Sequence, residues 1–309
     1  MKLTKVVTGI SAVTLSALLL TACSAQSSSK DSTDSKDKSS QTSKSSKKTE
    51  TKEATKVAGG DLQDGTYKLE ETGYYNGYRA VLSMTVKDGK ISKTSYDYVD
   101  KDGKSKKDDK EYNKTMKEKS GVGPSEYIPE LEKAWKQNGV NISSIETVSG
   151  ATHSSDSFKN YAQQLVQAAQ AGNTDTIKIE NEAKMQDGTY SLEEKNEKNG
   201  YRATLAITVA GGKITKTDFD YIDKDGKSKT EDEEYEKNMQ KVNNIGPKEY
   251  IPQLAESLTK SGGDISKVEV VSGATHTSHS FLLYAEQLMN AAQAGNTDKI
   301  TVDNYVFKD

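Results

Sequence analysis

An α+β fold used twice is what the sequence predicts, on three observations. Residues 64–177 align with residues 187–300 without a gap, at a spacing of 123 residues and with about three residues in five identical. Each copy carries strand patterns of period two, then helical patterns of period near 3.6. Each copy is also long enough to bury a core of its own, so the unit is a whole domain rather than a solenoid repeat. The expected boundaries are 61–177 for the first domain and 184–305 for the second.

The elements follow in order. Asp64-Gly65 starts a turn that leads into a strand through Leu69. Residues 77–86 alternate polar and apolar side chains, as a half-buried strand does. Asp88-Gly89 forms a tight hairpin turn, replaced by Gly211-Gly212 in the second copy, and a strand follows from Ile91 through Tyr98. A charged stretch and a helical segment around Tyr112 and Met116 come next. Gly123-Pro124 breaks that segment, and Pro129 is expected to open the following helix near Leu131 and Trp135. A short strand over 142–148 is expected to lead into Ser149-Gly150-Ala151-Thr152. Beyond it Phe158, Tyr161, Ala162, Leu165 and Ala169 share one helical face, and Gly172 caps the end.

The N-terminus fixes the setting. Residues 1–22 read as a signal peptide, with Lys2 and Lys5 before an apolar, small-residue stretch that ends in Leu20-Thr21-Ala22-Cys23. This ending resembles the lipobox of bacterial lipoproteins. The resemblance implies cleavage before Cys23, a lipid on its sulfur, and retention on the extracellular face of the cell membrane. Cys23 is the only cysteine of the chain, and two acyl chains suffice for stable anchoring. From Cys23 to residue 60 the chain is rich in Ser, Lys, Thr and Asp and has no aromatic residue. Such a segment buries too little apolar surface to offset its ordering entropy and is read as a disordered tether. Its mean reach is roughly 35 Å, and its extended limit is on the order of 120 Å. A long polar tether without disulfides points to a Gram-positive cell surface.

Composition excludes several classes of function. A formal net charge of −3 argues against nucleic acid as a partner. There are no cysteine sets for iron–sulfur clusters or haem, so a redox role requires an organic cofactor. Asp100, Asp102 and Gly103, with their copies Asp223, Asp225 and Gly226, lack the register of a calcium loop and read as a solvated turn.

The candidate chemistry lies in the segment Ser149-Gly150-Ala151-Thr152-His153-Ser154-Ser155, which returns as Ser272-Gly273-Ala274-Thr275-His276-Thr277-Ser278. It stands between an expected strand and a helix, with Ser154 or Ser155 expected as N-cap. Small residues leave the backbone bare, and a helix N-terminus stabilises a phosphate. His153 and His276 are candidates to contact a phosphate or a ring edge. Tyr67, Tyr78, Arg79 and their copies Tyr190, Tyr201 and Arg202 are candidates to flank a ligand, although core packing explains the tyrosines equally well. Asp156 in one copy is matched by His279 in the other, a charge difference expected to separate the two sites. Trp135, matched by Leu258, reads as core.

Ser-Gly-Ala-Thr followed by x-Ser/Thr-Ser resembles the flavinylation site of FMN-binding domains, as in the C subunit of the sodium-pumping quinone reductase and the G subunit of its Rnf relative. The resemblance implies two FMN groups, held covalently through phosphodiester bonds to Thr152 and Thr275 and installed by a separate flavin transferase. Glu146 and Glu269 stand where that family usually has Asp. A tandem pair on a lipoprotein tether is similar to the pheromone-encoding lipoproteins of Gram-positive extracellular electron transfer. That similarity implies an electron carrier rather than a conventional enzyme, with ferric or flavin reductase activity. It would take electrons from membrane quinol-oxidising proteins and pass them to ferric iron or free flavins, and its leader would be processed to a pheromone. The competing reading is a non-redox surface ligand-binding lipoprotein. A hydrolase using Thr152 is weaker, because the adjacent His153 would point away from it.

Overall fold

The computed structural model describes residues 55–308. The signal peptide, Cys23 and nearly all of the tether lie outside the described residues. The chain begins with β1 (Lys56–Ala58), which pairs antiparallel with the final strand β10 (Val306–Phe307). Between them the same series of elements occurs twice. The first series is β2 (Gly65–Glu71), β3 (Arg79–Lys87), β4 (Lys90–Val99), α1 (Lys110–Ser120), α2 (Pro124–Asn138), α3 (Thr152–Ala171) and β5 (Ile177–Ile179). The second is β6 (Gly188–Glu194), β7 (Arg202–Ala210), β8 (Lys213–Ile222), α4 (Glu233–Asn243), α5 (Pro247–Ser261), α6 (Thr275–Ala294) and β9 (Ile300–Val302). The architecture is mixed α and β.

Each series makes a four-stranded sheet, in the orders β4-β3-β2-β5 and β8-β7-β6-β9. The first three strands form an antiparallel meander. The last lies parallel to the first, reached by way of the long helix α3 or α6. The meander turns on Asp88-Gly89, both at positive φ (53° and 68°), the combination a two-residue hairpin of matching twist requires. Gly211-Gly212 meets the same demand at 62° and 73°.

Alternation along β3 sends Ala80, Leu82, Met84 and Val86 inward, all of them buried. They meet the apolar faces of α2 (Ile128, Leu131, Trp135) and α3 (Phe158, Ala162, Leu165, Ala169). Phe158 is the centre of this aromatic packing, with its ring centroid 4.7 Å from Tyr96 and 5.6 Å from Trp135. Trp135 is fully buried, as a core position should be, although its indole N–H has no partner among the described residues.

Three local expectations are corrected. Pro124, not Pro129, opens α2. It takes the first helical position, where its missing N–H costs nothing, and the Gly123 amide donates to Glu126 Oε2 at 3.2 Å. Pro129 lies inside the helix, on its exposed side, where the carbonyl it leaves free faces water. Residues 142–148 form no strand. Ile142–Ser144 is a 3-10 turn, and Ile142 and Ile145 enter the core as single anchors. The third is the start of α3, which lies at Thr152 with Ala151 at the N-cap position rather than at a serine cap.

The two series meet where α3 packs on α6, and the junction is largely polar. Gln167 and Gln287 exchange side-chain amide hydrogen bonds at 3.1 and 2.7 Å, and Asn160 donates to Asn290 at 2.7 Å. Gln170 donates to the carbonyl of Asp303 at 2.8 Å. Each such bond is worth about 0.5–1.5 kcal/mol net, and more is lost if one buried partner is stranded. A double-mutant cycle on Gln167→Ala and Gln287→Ala, read by urea unfolding, should therefore give a coupling of about 1–2 kcal/mol. Strict additivity would mean that the pair does not form.

Candidate functional site

The site is built on a tight turn that only glycine can make. Ala151 N–H donates to the Val148 carbonyl at 2.9 Å, closing a turn with Gly150 at φ +79°. A Cβ at Gly150 would stand 2.1 Å from the carbonyl oxygen of Ser120, so the conformation and the space both require glycine. Gly273 repeats this, at φ +80° with the Asn243 carbonyl 2.5 Å from the same construction. The side chain that locks the turn is Ser155. Its Oγ accepts from the Val148 amide at 3.0 Å and donates to the Ala151 carbonyl at 2.9 Å. Ser278 does the same with Val271 and Ala274, both at 3.0 Å.

This corrects the expected caps. The helices begin at Thr152 and Thr275 themselves, with Ala151 and Ala274 at the N-cap positions and no side-chain cap on either. Ser155 is buried one turn in and Ser154 is half-buried, so neither caps the end. The consequence favours chemistry. Thr152 and Thr275 are exposed first residues of 20-residue helices, beside amides that no capping side chain takes up and at the positive end of the helix dipole. Glu146 and Glu269 are exposed on the approach to the turn.

Thr152 and His153 open onto a cleft of about 710 Å³, within the range of small-molecule sites. Its near wall holds Glu71, Tyr75, Asn76, Lys106 and Tyr112, and its far wall includes Ser266 and Glu286 of the second series. A larger depression, of about 1020 Å³, lies over β6–β8 and α5 and contains neither threonine. Among the described residues no His, Cys, Asp or Glu cluster is arranged to hold a metal ion, and no helix is long and apolar enough to cross a membrane.

Sequence reasoning missed the lysine at the cleft. Lys106 is buried with its Nζ 4.4 Å from the ring centroid of Tyr112, 4.7 Å from Tyr98 and 5.2 Å from Tyr78. The aromatic faces stabilise the cation, yet burial still lowers its pKa to about 8, against the opposing pull of Glu71 and Asp109. Lys229 stands alike among Tyr201, Tyr221 and Tyr235, also lowered to about 8 by burial. The cage is tied down by Tyr78, whose hydroxyl donates to Asp109 Oδ2 at 2.6 Å, a bond that pushes the Tyr78 pKa up to about 12. Glu71 was also missed. Its carboxylate accepts from the Ala80 amide at 2.6 Å and from the Tyr161 hydroxyl at 2.7 Å, and burial raises its pKa against both bonds. In the sequence Lys106 lies in the charged stretch between Tyr98 and Tyr112, and Glu71 lies just past the strand read through Leu69. Only their retention as Lys229 and Glu194 in the second copy hinted at a role.

Of the other candidates, Tyr67 and Tyr190 are core residues that donate to the carbonyls of Gln63 and Gln186, away from the cleft. Arg79 and Arg202 pair with Glu70 and Glu193 at 2.6 and 3.1 Å rather than with the site. Tyr75, not Tyr78, is the exposed ring at the cleft, and Lys198 replaces it in the second copy. Asp156 is paired with Lys159 at 2.9 Å, and His279 lies within electrostatic reach of both. The Asp100 segment is a turn, with Asp100 Oδ1 accepting from the amides of Asp102 and Lys104.

The sequence model of the FMN-binding domain matches residues 75–167, a span that includes Tyr75, Lys106 and Thr152. The 15 kDa lipoprotein of Treponema pallidum (strain Nichols) is 34% identical over 117 residues, which is 38% of this chain and 82% of that protein. The crystal structure of the CPE2226 protein from Clostridium perfringens is similar at 38% identity with a TM-score of 0.36, covering 38% of this chain and 98% of that one.

The turn geometry sets a graded expectation. Gly150→Ala should destabilise the chain by at least about 2 kcal/mol, combining left-handed strain with a backbone clash. Gly103→Ala, at φ +77° with open space around it, should cost only about 1 kcal/mol. Equal losses in thermal or urea unfolding would contradict the clash at Ser120.

Proposed function

The chain belongs to the family of FMN-binding-domain lipoproteins, and on that premise we propose that it is a surface-anchored electron carrier with two tandem FMN-binding domains. FMN is held covalently at Thr152 and at Thr275. The observation that carries this reading is the threonine placement: an exposed hydroxyl on the first residue of an uncapped helix, behind a turn that leaves room for nothing larger than glycine.

The residues present fit the group. The cleft has the volume for a flavin, the helix start suits a phosphodiester, and the caged Lys106 adds positive charge to the wall. Bound FMN would supply reversible electron uptake. The chain supplies the rest. Thr152 holds the phosphoryl group through its Oγ, the Gly150-Ala151 backbone lets it approach, and Tyr75 offers an exposed aromatic face at the mouth. Covalent attachment suits a protein outside the cell, where a dissociable cofactor would be lost. A flavin transferase would install the groups. Electrons would pass from membrane quinol-oxidising proteins to ferric iron or free flavins, within reach of a tether anchored through Cys23 in a Gram-positive envelope. Release of a leader-derived pheromone belongs to the same reading.

The test is the intact mass of the protein from its native host, beside Thr152→Ala and Thr275→Ala. The expected result is two increments of FMN less water, each lost with one substitution. An unmodified mass where the transferase is active would overturn the reading in favour of a non-redox ligand-binding lipoprotein.

A further inference from the structure

Glu286 belongs to α6, in the second series, yet lines the cleft that opens at Thr152. It is 7% exposed, and its Oε2 has no hydrogen-bond partner among the described residues. A buried carboxyl normally finds a cation or several donors. The cation facing it, Lys159 on α3, is already engaged, pairing with Asp156 at 2.9 Å and donating to Thr147 Oγ1 at 3.0 Å. Asp156 itself repels a second negative charge. The other charged or titratable groups around the cleft are Glu71, Lys106, His153, Glu182 and Asp264 together with Tyr75, Tyr98, Tyr112, Tyr127 and Tyr161, and His279 lies about two turns earlier on α6. Burial, reinforced by Asp156, raises the Glu286 pKa to about 8, with Lys159 opposing. At neutral pH it is therefore a carboxylic acid with one O–H to give. The equivalent residue of α3 is Gln163, so only one of the two helices carries this acid.

We propose that Glu286 is a positioning residue for the flavin at Thr152, its carboxylic acid donating a hydrogen bond from the second series to an acceptor on the ring held by the first. The proposal rests on the reading of Thr152 as an FMN attachment point. A flavin ring carries carbonyl oxygens and ring nitrogens that accept such a bond. Adding electrons to the ring strengthens the acceptor, so the neutral acid favours the reduced form. Once Glu286 loses its proton, its negative charge opposes reduction.

The experiment uses the full chain carrying Thr275→Ala, so that flavin remains at Thr152 alone. Intact mass is recorded first, then the midpoint potential from about pH 6 to about pH 10, with and without Glu286→Gln. The parent should show the FMN increment and a potential that falls more steeply with pH above about 8. Glu286→Gln keeps a donor and the shape of the side chain but cannot ionise, so it should keep the increment and lose the extra fall. Superimposable profiles, with the increment present in both, would overturn the role of Glu286 alone. Absence of the increment from the parent would overturn the Thr152 reading and the proposal with it.

Discussion

The approach of the Gly150 backbone to the carbonyl of Ser120 sets the geometry from which the site follows. A side chain at that position would collide with α1, and the left-handed φ would strain it as well. With glycine there, the turn closes tightly enough for Ser155 to reach back to Val148. Helix α3 then starts one residue after the turn, at Thr152, rather than at the serines that a capping pattern favours. The threonine hydroxyl is thereby left exposed at the positive end of a long, well-packed helix, rigidly backed by Phe158, Leu165 and Ala169. Gly273, Ser278 and Thr275 repeat the arrangement at the second site.

The two copies share this frame and differ in what surrounds it. Tyr75 at the first site becomes Lys198 at the second, Gln163 becomes Glu286, and Asp156 becomes His279. These changes fall on the β2–β3 hairpin, on the face of α6 toward the cleft, and at the start of the long helices, while the buried frame of Glu71, Lys106 and Tyr161 returns as Glu194, Lys229 and Tyr284. Duplication followed by change at the rim gives two sites of common construction and unequal electrostatics. The packing of α3 on α6 adds to the inequality, because it brings residues of the second series into the wall beside Thr152.

Much of this was legible in the sequence because it depends on local rules. Period-two alternation located β3 and β4, Asp88-Gly89 and Gly211-Gly212 located the hairpins, and the apolar face of α3 was readable from Phe158 to Ala169. The Ser-Gly-Ala-Thr segment stood out because it recurs. What was not legible depends on tertiary neighbours. Pro129 resembles a helix start unless its exposed place in α2 is known, and residues 142–148 look like a strand until the Val148 amide is seen to pair with Ser155. Lys106 is one lysine among many until three tyrosine rings converge on it from β4, the β2–β3 hairpin and α1. Glu286 gave no signal at all, since its significance comes from a helix more than a hundred residues away in sequence.

The FMN proposed for this chain would be bonded to it rather than lodged in it. The most direct measurement is the visible absorbance of the protein after unfolding in guanidinium and desalting, taken from cells in which the flavin transferase is active. Flavin bands that stay with the unfolded chain are expected. A colourless chain, with any flavin recovered in the small-molecule fraction, would contradict covalent attachment.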